Sequence, residues 1–281
     1  PTIKKILKHL DDSGVNYVEL GYRGGSGSVR INDPRPTANV NEEYFKEIKD
    51  LNLNIKTSVM IIPAVAKLED LDIFKKNKVS LLRIAVYPHN FYQCFPFVHK
   101  AKQIGLKCSV NLMASTYVNY EEIIKKAKEV EKAGADIFYF ADSFGNYMPE
   151  DVKKRVLGLK DNIKIAVGFH AHNNLGFAVQ NTITALRCGA EYVDSSIAGM
   201  GRGAGNVQTE LFATVINRTD GFYRDYDVLS LLKAADNIRH LVKNPFLEKS
   251  HIISGEANLH AFFWPHIKET CNSDTYQEYK V

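Results

Sequence analysis

Short apolar runs that alternate with amphipathic helical stretches predict an α/β fold with parallel strands, a TIM (β/α)8-type barrel. The runs begin near Tyr17, Ile55, Leu81, Leu106, Ile137, Ile165 and Tyr192, spaced as successive βα units. No G-x-G-x-x-G follows the first run, so a dinucleotide-binding fold has no support.

Taken in order, the chain opens on an amphipathic helix over 2–12 that leads into a strand at 17–20. A regular barrel would place a strand before that helix, so the sequence predicts a barrel with its first strand missing from the chain. The Gly/Ser-rich stretch 21–28 reads as an active-site loop rather than a domain linker. LLRIAV (81–86) and DIFYF (136–140) are nearly continuous apolar runs, as expected of strands covered on both faces. Between them, residues 120–133 carry Ile123, Ile124, Ala127, Val130 and Ala133 on one helical face, with Gly134 as the stop. The last strand is expected over 192–196. A Gly-rich loop, a helix near 207–218 and a tail that leaves the βα rhythm follow it. The expected organisation is a barrel over 1–225 and a short C-terminal helical extension over 226–281.

Composition narrows the function classes. The 281 residues are 45% hydrophobic and 24% charged, an ordinary globular balance. Lys plus Arg number 36 against 32 Asp plus Glu, a net charge of +4 with no basic block, so no nucleic-acid partner is expected. The apolar runs are strand-length, and no signal-peptide core opens the chain, so no membrane partner is expected either. Cys94, Cys108, Cys188 and Cys271 form no C-x-x-C pair, which suits reduced thiols in a cytoplasmic protein.

The strongest chemical signal is GFHAHNN (168–174). His170 and His172 are two apart at a strand's C-terminal end, so both point to one face, and two neutral imidazoles there suit a divalent metal. A pair of hydrogen-bonded rim histidines is the plainer reading. GMGRGAGN (199–206) carries four glycines that permit close backbone approach. It is either a tight turn before a helix or a loop whose N–H groups, at Gly201 and Gly203, hold an anion while Asn206 offers an oxygen near the metal. ADSFG (141–145) places Ser143 to hydrogen-bond a carboxylate and Asp142 to orient neighbours, or else caps a helix. Glu19, inside an apolar strand, needs a partner; it orients a ligand or an Arg, or forms a rim salt bridge. Arg83 can fill the barrel interior by pairing with Glu19 or Asp142. His99 and Arg187 read as helix surface, His89 carries no assigned role, and Cys188 reads as packed.

Together GFHAHNNLG (168–176), VDSSIAGMGRGAGN (193–206) and FADSFG (140–145) resemble the metal-dependent pyruvate aldolase and acyltransferase superfamily (DRE-TIM metallolyases). Its members include 4-hydroxy-2-oxovalerate aldolase, isopropylmalate and homocitrate synthases, and hydroxymethylglutaryl-CoA lyase. The loop 199–206 lacks the lyases' catalytic Cys and the synthases' Glu-Arg, and matches the aldolases' Gly-Met-Gly-x-Gly-Ala-Gly-Asn. LKAADNI (232–238) and ISGEANLHAFF (253–263) resemble the start of the aldolases' helical extension, where His260 stands at a substrate-facing Tyr position. The family's Thr-Leu-Arg-Asp-Gly strand, with its metal-ligand Asp and enolate-stabilising Arg, has no counterpart here.

The resemblance implies a divalent-metal-dependent aldolase that cleaves a 4-hydroxy-2-oxo acid to pyruvate and an aldehyde. The implied metal is Mn²⁺ or Mg²⁺, ahead of Zn²⁺ or Co²⁺, held by His170, His172 and Asn206. Ser143, Glu19 and His260 are the implied catalytic set, with Ser143, Gly201 and Gly203 binding substrate. Implied partners are a small 2-oxo acid and either an aldehyde dehydrogenase or further copies of the chain. The alternatives are a Claisen-type condensation of an acyl-CoA with a 2-oxo acid, and a catalytically impaired barrel.

Overall fold

The computed structural model describes residues 2–25, 35–222, 224–242 and 248–260. The expected loop 21–28 is therefore described only to Gly25. Cys271 and the extension beyond His260 lie outside the described residues.

Seven parallel strands form one sheet in chain order: β1 (Tyr17–Arg23), β2 (Lys56–Ile61), β3 (Leu81–Val86), β4 (Cys108–Leu112), β5 (Ile137–Asp142), β6 (Ala166–Ala171) and β7 (Tyr192–Val193). Helices α1 (Thr2–Asp12), α2 (Glu42–Ile48), α3 (Asp70–Lys76), α4 (Cys94–Gln103), α5 (Tyr120–Ala133), α6 (Pro149–Asn162), α7 (Ala178–Arg187) and α8 (Thr209–Asn217) alternate with them. Beyond residue 225 follow α9 (Val228–Asp236) and α10 (Lys249–Glu256). α9 packs on α1 and α8 and so closes the helical ring. No described helix is long and apolar enough to cross a membrane.

The period-2 rule sorts each strand into two faces. Leu82, Ile84, Val86, Val110, Leu112, Phe138, Phe140, Val167 and Phe169 join the core between sheet and helices. The alternate residues face the barrel interior. Leu81, Ile137 and Tyr139 form a floor there with Tyr17, Ala166 and Tyr192. Above it the interior is polar, with Arg83, Ser109 and Asn111 buried.

The sheet is curled but open. β1 and β7 pair with no further strand among the described residues. The Tyr17 and Tyr192 rings, at the starts of those two strands, meet with centroids 6.1 Å apart.

Element ends follow local chemistry. Asn119 accepts the Glu122 N–H at 2.8 Å to start α5, and Gly134, at φ +93°, ends it. The last strand is shorter than expected, two residues rather than five. Among the described residues it has one neighbour, β6, and beyond Val193 the carboxylate of Asp194 turns to Arg83 and His170 inside the barrel.

Gly168 lets two strands approach inside the barrel. A Cβ there would lie 2.5 Å from the Tyr139 ring, whose face already carries the Arg83 guanidinium 4.8 Å from its centroid. Gly168→Ala therefore overpacks the interior and should cost about 1–3 kcal/mol, read as a lower urea midpoint. An unchanged midpoint would show that Tyr139 has room to retreat.

Candidate active site

The candidate side chains gather where the strands end at the C-terminal face. β5 and β6 are in register there, with Ala141 opposite His170 and Asp142 opposite Ala171. The next residues, Ser143 and His172, thus leave adjacent strands side by side. The His172 N–H donates to the Asp142 carbonyl at 3.2 Å. Gly145, at φ +60°, permits the two loops to touch, because a Cβ there would fall 2.4 Å from the Asn174 nitrogen.

His170 and His172 share a face, their rings 5.2 Å apart. His170 Nδ1 lies 2.9 Å from Asp194 Oδ2. An ionised carboxylate only accepts, so Nδ1 carries the proton. His172 Nδ1 lies 3.4 Å from the Arg202 carbonyl, another pure acceptor, so the same assignment holds. Burial, His170 and Arg202 lower the His172 pKa to about 3, which keeps its ring neutral.

Asp194 is a candidate site residue that the sequence reading missed. Arg83 Nη2 donates to its Oδ2, and Arg83 Nη1 donates to Glu19 Oε2 at 2.8 Å. Burial alone would raise the Asp194 carboxyl, but Arg83 and the His170 hydrogen bond hold it at about 2. Burial likewise works against the Arg83 charge, and Asp194 and Glu19 together outweigh it. The available signal was a charged residue at period 2 from Tyr192, on the interior face of an apolar run.

The structure corrects one expectation and sharpens others. Arg83 pairs with Glu19, as one reading had it, but its second partner is Asp194 and not Asp142. Asp142 instead accepts the N–H groups of Asn146 at 2.9 Å and Tyr147 at 3.1 Å, holding the turn that carries Ser143. Ser143 Oγ accepts the Ala114 N–H at 2.8 Å, so its own proton remains to donate. His99 and Arg187 are exposed on helices, as expected, and Cys188 is half-buried at the end of α7.

Asn206 pairs in a bridge with His172. Its Nδ2 donates to Ser196 Oγ at 2.9 Å and to the Met200 carbonyl at 3.1 Å. Its Oδ1 is buried with no hydrogen-bond partner. Gly201 leaves that oxygen room, since a Cβ would lie 2.7 Å from it. Two imidazoles and an orphaned amide oxygen are hard and borderline donors that fit a divalent cation. Among the described residues no three His, Cys, Asp or Glu side chains come together in a way that could hold a metal, so the fit rests on His170, His172 and Asn206.

Residues 248–260 lie against the same rim. Asn174 Nδ2 donates to the His251 carbonyl at 3.3 Å and to Ser254 Oγ at 2.8 Å. Thr116 Oγ1 donates to Asn258 Oδ1 at 2.8 Å. These contacts bring His260 Nε2 to 3.2 Å from the Tyr87 hydroxyl and 3.4 Å from Arg202 Nη1, with the Phe144 ring edge-on to it. Burial and Arg202 lower the His260 pKa.

The family model described as HMGL-like matches residues 1–238. The chain is 33% identical to an oxaloacetate decarboxylase from Mycobacterium tuberculosis, over 77% of this chain and 63% of that protein. It is 31% identical to a 4-hydroxy-2-oxovalerate aldolase from Carboxydothermus hydrogenoformans, over 93% and 78%. The chain thus spans less than two thirds of the decarboxylase and about three quarters of the aldolase. Among solved structures, an N-terminal domain from Bacteroides vulgatus superposes with TM-score 0.83 at 24% identity, covering 97% of this chain and 90% of that one. An HMG-CoA lyase from Brucella melitensis gives 0.72 at 17%, covering 87% and 92%. These two show the fold.

Burial pushes the Asp142 carboxyl up to about 7, despite its backbone N–H donors. An unfolded Asp titrates near about 3.9, so between about pH 4 and pH 7 the folded chain binds more protons and stability falls as pH rises. Asp142→Asn removes that slope and adds a constant loss from one broken backbone bond. Urea unfolding across this window should show the wild-type advantage over Asp142→Asn shrinking as pH rises; a constant gap would contradict the assignment.

Proposed function

The chain belongs to the HMGL-like family, and from that membership and its aldolase and decarboxylase relatives we propose that it is a divalent-metal-dependent aldolase. Its substrate is a 4-hydroxy-2-oxo acid, cleaved between C3 and C4 to pyruvate and an aldehyde. The observation that carries this reading is the pair of imidazoles at the end of β6. Both have Nδ1 committed to an acceptor, which leaves Nε2 as the nitrogen that can ligate.

His170, His172 and Asn206 Oδ1 would hold the metal. When bound, Mn²⁺ or Mg²⁺ supplies Lewis-acid stabilisation for the charge that develops on the 2-oxo oxygen. The remaining work falls to side chains. Ser143 Oγ, already accepting from Ala114, turns its proton to the substrate carboxylate, to which the Gly201 and Gly203 N–H groups would also donate. Asp194 fixes the His170 ring, and Arg83, braced by Glu19, fixes Asp194. Glu19 is thus a positioning residue in this scheme. His260, held neutral, accepts the 4-hydroxyl proton at Nε2 as the C3–C4 bond breaks and its electron pair passes to C3, and returns that proton to C3 to give pyruvate. Phe144 and Tyr87 flank that nitrogen and shield the leaving fragment from water.

The decarboxylase among the relatives carries the name of a reaction that breaks the corresponding bond of a 2-oxo acid. The loop 199–206 has neither the Cys nor the Glu-Arg of the other branches, and the aldol reading remains the one best supported.

The test is pyruvate release from 4-hydroxy-2-oxopentanoate with Mn²⁺ or Mg²⁺ added. Release should stop with EDTA and fall about a hundredfold or more in His172→Ala. Metal-independent release, or none with either ion, contradicts the proposal.

A further inference from the structure

One cation at the mouth has no place in the scheme above. Arg202 stands between Gly201 and Gly203 on the loop after β7 and is open to solvent. Its carbonyl accepts His172 Nδ1, and its Nη1 lies 3.4 Å from His260 Nε2. The guanidinium therefore extends from the ligand loop to the residue assigned to the leaving fragment. An arginine does not give up its charge in a protein.

The neighbouring acids are committed elsewhere. Glu19 and Asp194 both pair with Arg83, and Asp142 holds backbone N–H groups. Arg23, Arg155 and Arg239 each have an acidic partner, whereas Arg202 makes no ion pair among the described residues. With Glu19, Arg83, Asp194 and Arg202 balanced in charge, a divalent ion on the histidines leaves two positive charges at the mouth. A 2-oxo monoacid neutralises one of them. Tyr87 and Phe144, on the other sides of His260, offer rings and a hydroxyl but no second cation.

We propose that Arg202 binds a second carboxylate on the fragment released by C3–C4 cleavage, so that the preferred substrate is a 2-oxo diacid. The planar guanidinium offers two parallel N–H groups, which match a carboxylate and reject an alkyl end. Charge complementarity of this kind selects between ligands of equal length. The inference rests on the lyase reading for the place of the 2-oxo acid, and on Arg202 for its far end.

Binding of 2-oxoglutarate and 2-oxopentanoate, equal in chain length and differing in one carboxylate, separates the two readings. In calorimetry with the Mg²⁺-supplemented protein, the diacid should bind about fivefold or more tighter. Arg202→Gln should cut that ratio at least about threefold, and Arg202→Lys, which keeps the charge, should retain more of it than Arg202→Gln. A wild-type ratio under fivefold, a ratio that survives Arg202→Gln, or no binding of either acid overturns the proposal. Failure of the lyase reading appears separately, as absent pyruvate release from both 4-hydroxy-2-oxopentanoate and 4-hydroxy-2-oxoglutarate with the binding preference intact.

Discussion

Arg83 joins the two ends of the sheet. It leaves the third strand, reaches Glu19 on the first with Nη1 and Asp194 just past the last with Nη2. Since β1 and β7 are not neighbours in the sheet, this pair of contacts and the Tyr17–Tyr192 ring contact hold the curl from inside. Asp194 and Arg83 are both largely buried, and removing one partner of such a pair costs about 3–5 kcal/mol, because the charge left behind stays desolvated. The same Asp194 oxygen that receives Arg83 receives His170 Nδ1. The contact that sets the shape of the barrel therefore also sets the tautomer and direction of a candidate metal ligand.

The candidate site is assembled in two tiers. His170 and Arg83 sit on strands and inherit their rigidity, as suits groups that must hold position. Ser143, Asn206, Arg202 and His260 sit on loops or in the extension, and each is tied down by a contact that a neighbouring element supplies. Asp142 fixes the Ser143 turn, Gly201 makes room for Asn206, and Asn174 and Thr116 fasten the segment that ends at His260. The extension is in this sense part of the site, since without it nothing places His260 against Tyr87 and Phe144.

Much of this was legible in the sequence where it depends on local pattern. The strand starts at Tyr17, Leu81, Ile137 and Tyr192 fall where the apolar runs begin, and α1 spans 2–12 as its periodicity predicts. The side-by-side placement of His170 and His172 follows from period 2 alone. What local pattern does not carry is pairing across the barrel. The Arg83 contacts span 64 and 111 residues of chain, and nothing in LLRIAV or VDSS distinguishes Asp194 from Asp142 as the partner. β7 ends early for the same reason: past Val193, Asp194 turns its carboxylate to Arg83, a contact that the expected stretch 192–196 alone does not show.

The central claim is that Asp194 links the interior ion pair to the candidate metal-holding face through His170. The direct measurement is Mn²⁺ affinity by calorimetry in wild type and Asp194→Asn, with far-UV circular dichroism to confirm that both are folded. An amide keeps the shape but loses the charge that orders His170. The account predicts affinity weakened about 10- to 100-fold in the folded variant. Equal affinity in the two folded proteins would contradict it.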